Sequence, residues 1–217
     1  MSEKMKISIL DIGLGNIQSV IQAFKKLGKE INLISTPEEV ASSEIIILPG
    51  VGAFEDGMKK LEELNLKESL KNHFNANKPL VGICLGMQLF MEKSYEFGEH
   101  EGLGYVSGKV IPFNEPSLDD KNYRVPHVGW NNISITQDNL DSPLLKEVVL
   151  ESDFYFVHSY KVICEEEDDI FSTTCYGEQT FCSILKKGNL IGFQFHPEKS
   201  GVEGIKLLKN ICDLYEV

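Results

Sequence analysis

The first half of the chain alternates short apolar runs with stretches whose apolar residues recur every three or four positions. Lys6 to Asp11, Ile31 to Ile34, Glu44 to Leu48 and Pro79 to Ile83 read as strands. Near-continuous apolar runs of that length suit a parallel sheet covered on both faces. After the first strand, Ile17, Val20, Ile21, Phe24 and Leu27 share one helical face, and Gly28 is placed to stop that helix. Ser35-Thr36-Pro37-Glu38 carries a cap and a proline in the order that opens a helix, and Leu66, Leu70 and Phe74 mark another. Met87 to Met91 reads as a helix leading out of the fourth strand.

The second half is richer in strands: Lys109 to Phe113, Asn132 to Thr136, Phe154 to Val157, Ile170 to Cys175 and Phe181 to Leu185. Lys186-Lys187-Gly188-Asn189 turns the chain back into Leu190 to Phe195, as a hairpin does. Ser200-Gly201-Val202-Glu203 has the spacing of a capping box, opening a last helix with Ile205, Leu208, Ile211 and Leu214-Tyr215 on its apolar face. No repeat, low-complexity tract or linker divides residues 1–217. The pattern predicts a single α/β domain: an open, mainly parallel sheet flanked by helices, with a strand-rich second half.

Chemistry concentrates at two of the predicted strand ends. Gly82-Ile83-Cys84-Leu85-Gly86 has the form of a nucleophile elbow with cysteine in place of serine, where glycines on both sides let a strand turn into a helix within one residue. Cys84 would sit at the following helix's N-terminus, whose partial positive charge favours the thiolate. Phe195-His196-Pro197-Glu198 supplies a base and a carboxylate two residues apart, which an extended backbone points to one side. Cys84, His196 and Glu198 thus form a candidate triad. Both pieces follow the C-terminal ends of strands, where open α/β sheets place ligands.

Two glycine loops flank these motifs. Gly13-Leu14-Gly15 suggests a dinucleotide fingerprint, but Gln18 occupies the third glycine position, leaving a tight strand-to-helix turn. Pro49-Gly50-Val51-Gly52-Ala53-Phe54 suits an oxyanion loop, with the Val51 amide and the Leu85 amide as the two donors for a developing negative charge.

Composition narrows the classes further. With 42% hydrophobic and 25% charged residues the chain is of globular type, and its net charge of −12 argues against nucleic-acid binding. Its apolar runs are too short to span a bilayer, and no signal-peptide core follows Met1 to Lys6. Cys164, Cys175, Cys182 and Cys212 form no C-x-x-C pair, so no metal or redox site is indicated and no cofactor is expected. A reducing, cytoplasmic location follows as the expectation. The acidic run Glu165 to Asp169 reads as a solvated loop between two strands.

In order and spacing, the Pro49–Phe54 loop, Gly82 to Gln88 and Phe195 to Gly201 resemble the class I glutamine amidotransferases. Asp11 to Asn16, Val125 to Asn131 and Tyr155 to Tyr160 narrow the resemblance to those glutaminase subunits that feed a cyclase making imidazole glycerol phosphate. The resemblance implies that Cys84 attacks the side-chain carboxamide of L-glutamine, His196 carries the proton to ammonia and Glu198 orients the imidazole. It implies that Gly52, Gln88 and the backbone at Ser159 and Tyr160 hold the substrate. It further implies a heterodimer with a separate β/α-barrel cyclase, with Asn16, Trp130 and Lys199 at the interface. Ile12 and Val128 depart from the tyrosine and methionine frequent at those positions. Glu92 to Gly102 also resembles paralogues that supply ammonia for amidination of surface-polysaccharide sugars. A stand-alone cysteine hydrolase of similar elbow architecture is the alternative of another class.

Overall fold

Five parallel strands form the middle of the molecule, in the spatial order Ile31–Ile34, Ile7–Leu10, Ile45–Gly50, Leu80–Cys84 and Leu190–Phe193. They belong to a computed structural model that describes residues 6–114 and 123–217. Past Leu190–Phe193 the sheet continues antiparallel through Gln179–Lys187, Tyr160–Cys164 and Val106–Pro112, and then bends into Met91–Ser94 and His100–Glu101. A separate antiparallel pair, His127–Asn132 with Asp153–His158, lies over the strand-rich half.

Alternation along each central strand feeds two cores. Ile45 and Ile47 point to the face covered by helices Ile17–Lys26 and Gly201–Leu214, where they meet Phe24, Leu208 and Ile211. Ile46 and Leu48 point to the other face, toward helices Phe54–Glu63 and Leu66–Asn75. Both faces of the inner strands are therefore dry, as their uninterrupted apolar runs require, whereas the edge strand Ile31–Ile34, expected to be covered too, exposes Asn32 and Leu33. The mainly parallel α/β architecture expected from the pattern is the one observed. The helix stop at Gly28 (φ +71°) and the Thr36 cap, which forms a capping box with Glu39, are also as read.

Several local expectations are corrected. The helix read over Met87 to Met91 is a single turn, Leu85–Gln88, and Met91 already begins a strand. Tertiary pairing overrides the helical pattern here, because the Leu89, Phe90 and Met91 carbonyls accept from the amides of residues 103–106. A one-turn helix has little macrodipole to offer Cys84. The capping box at Ser200 is absent: Ser200 Oγ bonds His196 O (2.6 Å) and Tyr155 N (3.0 Å), while Glu203 accepts from Val149 N (2.7 Å). The strand read over Asn132 to Thr136 is split between His127–Asn132 and the short Ser134–Ile135. Asp169, read as part of a solvated loop, is buried and paired with Lys187 at 3.2 Å. Helix Phe54–Glu63 and strand Tyr160–Cys164 are additions. That helix has no side-chain cap at Ala53, and the Glu96 carboxylate takes the Phe54 amide at 2.6 Å instead.

The elbow is built on two close approaches. A Cβ at Gly86 would lie 1.8 Å from the Leu48 carbonyl oxygen, and one at Gly82 would lie 2.5 Å from the Phe90 ring. Neither backbone can yield without breaking the strand pairing of Ile45–Gly50 with Leu80–Cys84. Gly86→Ala should therefore destabilise the chain by about 3 kcal/mol or more, whereas Gly13→Ala, where nothing lies within 4 Å and only the φ of +78° is strained, should cost clearly less. Urea denaturation of the two variants measures the difference.

Candidate active site

Cys84 ends its strand with φ 54° and ψ −108°, a conformation that costs an L residue on the order of 1–3 kcal/mol. Its neighbours impose it. The preceding residues are locked in the sheet and the following turn packs on Leu48, so the single residue between them absorbs the change of direction. The thiol is buried to 6% exposure at the edge of a cleft of about 270 Å³. A larger open hollow of about 640 Å³ at the far sheet edge, lined by Ser8, Asn32 and Glu39, holds none of this chemistry.

His196 follows the neighbouring parallel strand Leu190–Phe193. Its amide donates to Tyr155 O (2.9 Å), and Ser200 ties both its carbonyl and the Tyr155 amide, so the turn carrying the imidazole is fastened to the small sheet. The sequence reading offered no role for Ser200 beyond a cap. Nδ1 of His196 lies 2.8 Å from Glu198 Oε1, with the two side chains 3% and 2% exposed. Nε2 has no hydrogen-bond partner, nor does Glu198 Oε2. Burial alone would lower the pKa of His196, but Cys84 and Glu198 outweigh it and raise the value to about 10.

The same cleft is lined by Val51, Gly52, Leu85, Gln88, Ser159 and Tyr160, all six residues assigned to it from sequence. Gly52 has φ +121°, the left-handed region where glycine is needed. The Gln88 carboxamide donates to Tyr160 O (3.1 Å) and to Gln194 Oε1 (3.2 Å). Glu96 also lines the cleft and was missed. Its carboxyl is held above the usual range by burial, against the opposing bond from the Phe54 amide. No motif in the sequence distinguishes it from the surface acids of its own hairpin.

His158 closes another wall, and it too was missed. Its Nδ1 donates to Tyr160 O (2.8 Å), so its Nε2 is left to accept from His127 Nδ1 at 3.2 Å. Burial lowers the two pKa values to about 3 for His158 and about 4 for His127. Both rings are neutral at physiological pH.

The three residues assigned to a partner interface lie around the same end of the sheet. Asn16 is exposed and caps helix Ile17–Lys26, on a turn whose Gly15 packs against Gly50. Trp130 is 55% exposed and pairs across the small sheet with Tyr155, ring centroids 5.9 Å apart. Lys199 is half-buried in the turn after Glu198. Among the described residues no group of three or more His, Cys, Asp or Glu side chains could hold a metal ion, and no helix is long and apolar enough to cross a membrane.

A strained cysteine at a strand end, a buried imidazole–carboxylate pair beside it and a glycine loop across the cleft describe an amidase-type site on an α/β sheet. The family profile described as Glutamine amidotransferase class-I matches residues 8–213, and the chain belongs to that family. Its relatives are more particular. The imidazole glycerol phosphate synthase subunit HisH of Aquifex aeolicus (strain VF5) is 45% identical over 208 residues, covering 95% of each chain. HisH 1 of Legionella pneumophila (strain Lens) is 42% identical over 210 residues, covering 96% of this chain and 99% of its own. Among solved structures, a chain in the structure of PurLQS from Thermotoga maritima superposes with a TM-score of 0.73 at 16% identity, covering 98% and 99% of the two chains. A crystal structure of a glutamine amidotransferase gives 0.70 at 17%, covering 97% and 99%. These likenesses show the fold.

His196, held protonated against its burial by Cys84 and Glu198, ties stability to pH. The folded value of about 10 lies above the ordinary 6.5, so the stabilisation is complete below about pH 6.5 and is lost as pH rises through about 10. Glu198→Gln should move the NMR titration midpoint of His196 downward and remove part of that alkaline dependence. An unchanged midpoint would show that Glu198 does not set the charge on the ring.

Proposed function

We propose that the chain hydrolyses L-glutamine to glutamate and ammonia, with Cys84 as nucleophile, His196 as proton carrier and Glu198 as the group that orients the imidazole. The observation that carries this reading is the cysteine held at φ 54° beside the buried imidazole–carboxylate pair of 2.8 Å. The Cys84 thiolate attacks the side-chain carboxamide, and the amides of Leu85 and Val51 receive the negative charge that develops on oxygen. His196 holds a proton at neutral pH and gives it through Nε2 to the departing nitrogen, so ammonia leaves and a glutamyl thioester remains. Water then adds to the thioester, with His196 as base, and releases glutamate.

At the other end of the substrate, Gln88, Gly52 and the Ser159–Tyr160 backbone hold the amino-acid group. The Glu96 carboxylate faces that end of the cleft and suits the α-ammonium. His127 and His158 are neutral, so they add no positive charge to compete with it.

Ammonia released in bulk water would be mostly protonated and lost. The reading therefore includes a partner: a cyclase of β/α-barrel fold (HisF), docked in a heterodimer over Asn16, Trp130 and Lys199. That subunit uses the ammonia to make imidazole glycerol phosphate and an aminoimidazole carboxamide ribotide (AICAR) from PRFAR in histidine biosynthesis, in the cytoplasm. HisH names on relatives matched over nearly their whole length support this assignment.

Cys84→Ser should abolish glutamine hydrolysis yet leave the reconstituted complex able to use added ammonium salt. Loss of both in a folded complex would refute the division of labour, and full glutamine turnover by the lone wild-type chain would favour the stand-alone hydrolase. With partner and its nucleotide ligand present, turnover should rise by at least ~10²-fold, about the value of one oxyanion donor. Glu96→Gln should raise KM for glutamine roughly tenfold with a smaller change in kcat. A pure kcat effect in steady-state assays would move Glu96 from binding to chemistry.

A further inference from the structure

Gln194 lies between Phe193 and Phe195 and is fully buried. A carboxamide with no access to water is costly unless both of its ends are bonded. Its Oε1 accepts from Gln88 Nε2 at 3.2 Å, and its Nε2 lies 3.9 Å from Cys84 Sγ, a sulfur-length contact. Its backbone amide is fixed on Ser183 O at 2.9 Å.

The orientation of this amide is dictated from a distance. The Tyr160 carbonyl can only accept, so the Gln88 group 3.1 Å from it must be the NH₂. That NH₂ also faces Gln194, which must then present its oxygen. The Gln194 NH₂ is left to point at the sulfur. His158 Nδ1, at 2.8 Å on the same carbonyl, holds the anchor in place. Reversing either carboxamide would set two oxygens or two NH₂ groups against each other in a dry interior.

We infer that Gln194 is a hydrogen-bond donor to the nucleophile, aimed at Cys84 Sγ by the chain of polar contacts that begins at the Tyr160 carbonyl. Besides the His196 ring, two groups face the sulfur, this donor and the Val157 carbonyl at 3.9 Å. The thiol satisfies the carbonyl with its own proton. Once the proton has left, the carbonyl repels the anion, and the Gln194 N–H joins the protonated His196 ring in favouring it. The donor works on the thiolate once it forms and, in the thioester, returns to a weakly bonded sulfur. Its stabilisation therefore falls on the reactive form, in addition to the oxyanion donors proposed at Leu85 and Val51.

The inference rests on Cys84 being the nucleophile, and the test separates the two. The readout is the rate of Cys84 alkylation by iodoacetamide in the full-length chain, followed by mass spectrometry from about pH 6 to about pH 10. Gln194→Met keeps the volume and removes the donor. It should slow alkylation roughly tenfold near neutral pH, with the gap closing at the alkaline end, because a hydrogen bond to a charged group favours only that form. In the assembled complex kcat for glutamine should fall by a similar factor and KM by less than about twofold, since Gln88 keeps the Tyr160 carbonyl. Gln194→Glu still accepts from Gln88 but sets a carboxylate against the sulfur, and should be slower than Gln194→Met at neutral pH. Wild-type rates at every pH, or a slowing that is the same at every pH, would overturn the inference whatever happens to the thermal midpoint. Should neither variant fold, the Gln194 carboxamide resonance of the 15N-labelled wild-type chain must move as Cys84 titrates, and a stationary resonance overturns it. Glutamine hydrolysis surviving in Cys84→Ser would instead remove the nucleophile assignment itself.

Discussion

The Leu48 carbonyl occupies the space that a side chain at residue 86 would need, and it is held there by the pairing of Ile45–Gly50 with Leu80–Cys84. Because two neighbouring strands are in register, the turn after the second must press directly on the backbone of the first. That contact leaves Cys84 no ordinary conformation, sets the Leu85 amide beside it, and directs the one-turn helix that carries Gln88 into the cleft. The glycine loop after Leu48 comes from the same strand end. The candidate nucleophile and both candidate oxyanion donors are thus consequences of a single packing constraint between backbones. Side chains are secondary to it.

Electrostatics then distinguishes three buried histidines around the cleft. His127, His158 and His196 all suffer desolvation, which disfavours the charged ring. His127 and His158 face each other, aromatic rings and a carbonyl, with no carboxylate of the described residues acting on them, and burial wins. His196 has Glu198 on one nitrogen and Cys84 nearby, and the balance reverses. Of the three, the ring that faces the sulfur is the one that keeps a proton at neutral pH. Of the other two, His158 donates to the Tyr160 carbonyl and His127 donates to His158.

What could be read from the sequence follows from which interactions are local. The central strands and the Thr36 cap were legible because a few consecutive residues decide them. So were the elbow and the His196–Glu198 spacing, since both are short motifs with strict glycine or proline requirements. The Met87–Met91 helix and the Ser200 capping box failed for one reason: their local pattern was satisfied, but distant groups claimed the same atoms. Residues 103–106 took the carbonyls after Gln88, and Tyr155 with His196 took the Ser200 hydroxyl. Glu96, His158 and Gln194 were invisible for the complementary reason. Each is an ordinary polar residue in its own segment, and only the packing of Phe54, Tyr160 and Cys84 against it brings it to the cleft.

The strand Leu190–Phe193 lies inside the sheet, between Leu80–Cys84 and Gln179–Lys187, although it is one of the last segments of the chain. Residues 80–83 wait for partners more than a hundred positions away. Such long-range closure is slow, because loop entropy is lost before the pairing rewards it. A nascent chain that has already made its elbow therefore carries a thiol with no imidazole beside it and one unpaired strand edge. The candidate triad and the seam of the sheet close in the same event. On the proposed reading, chemical competence in this architecture arrives only with the completion of folding, so a half-made chain has no means of cleaving amides while it is still exposed to the cell.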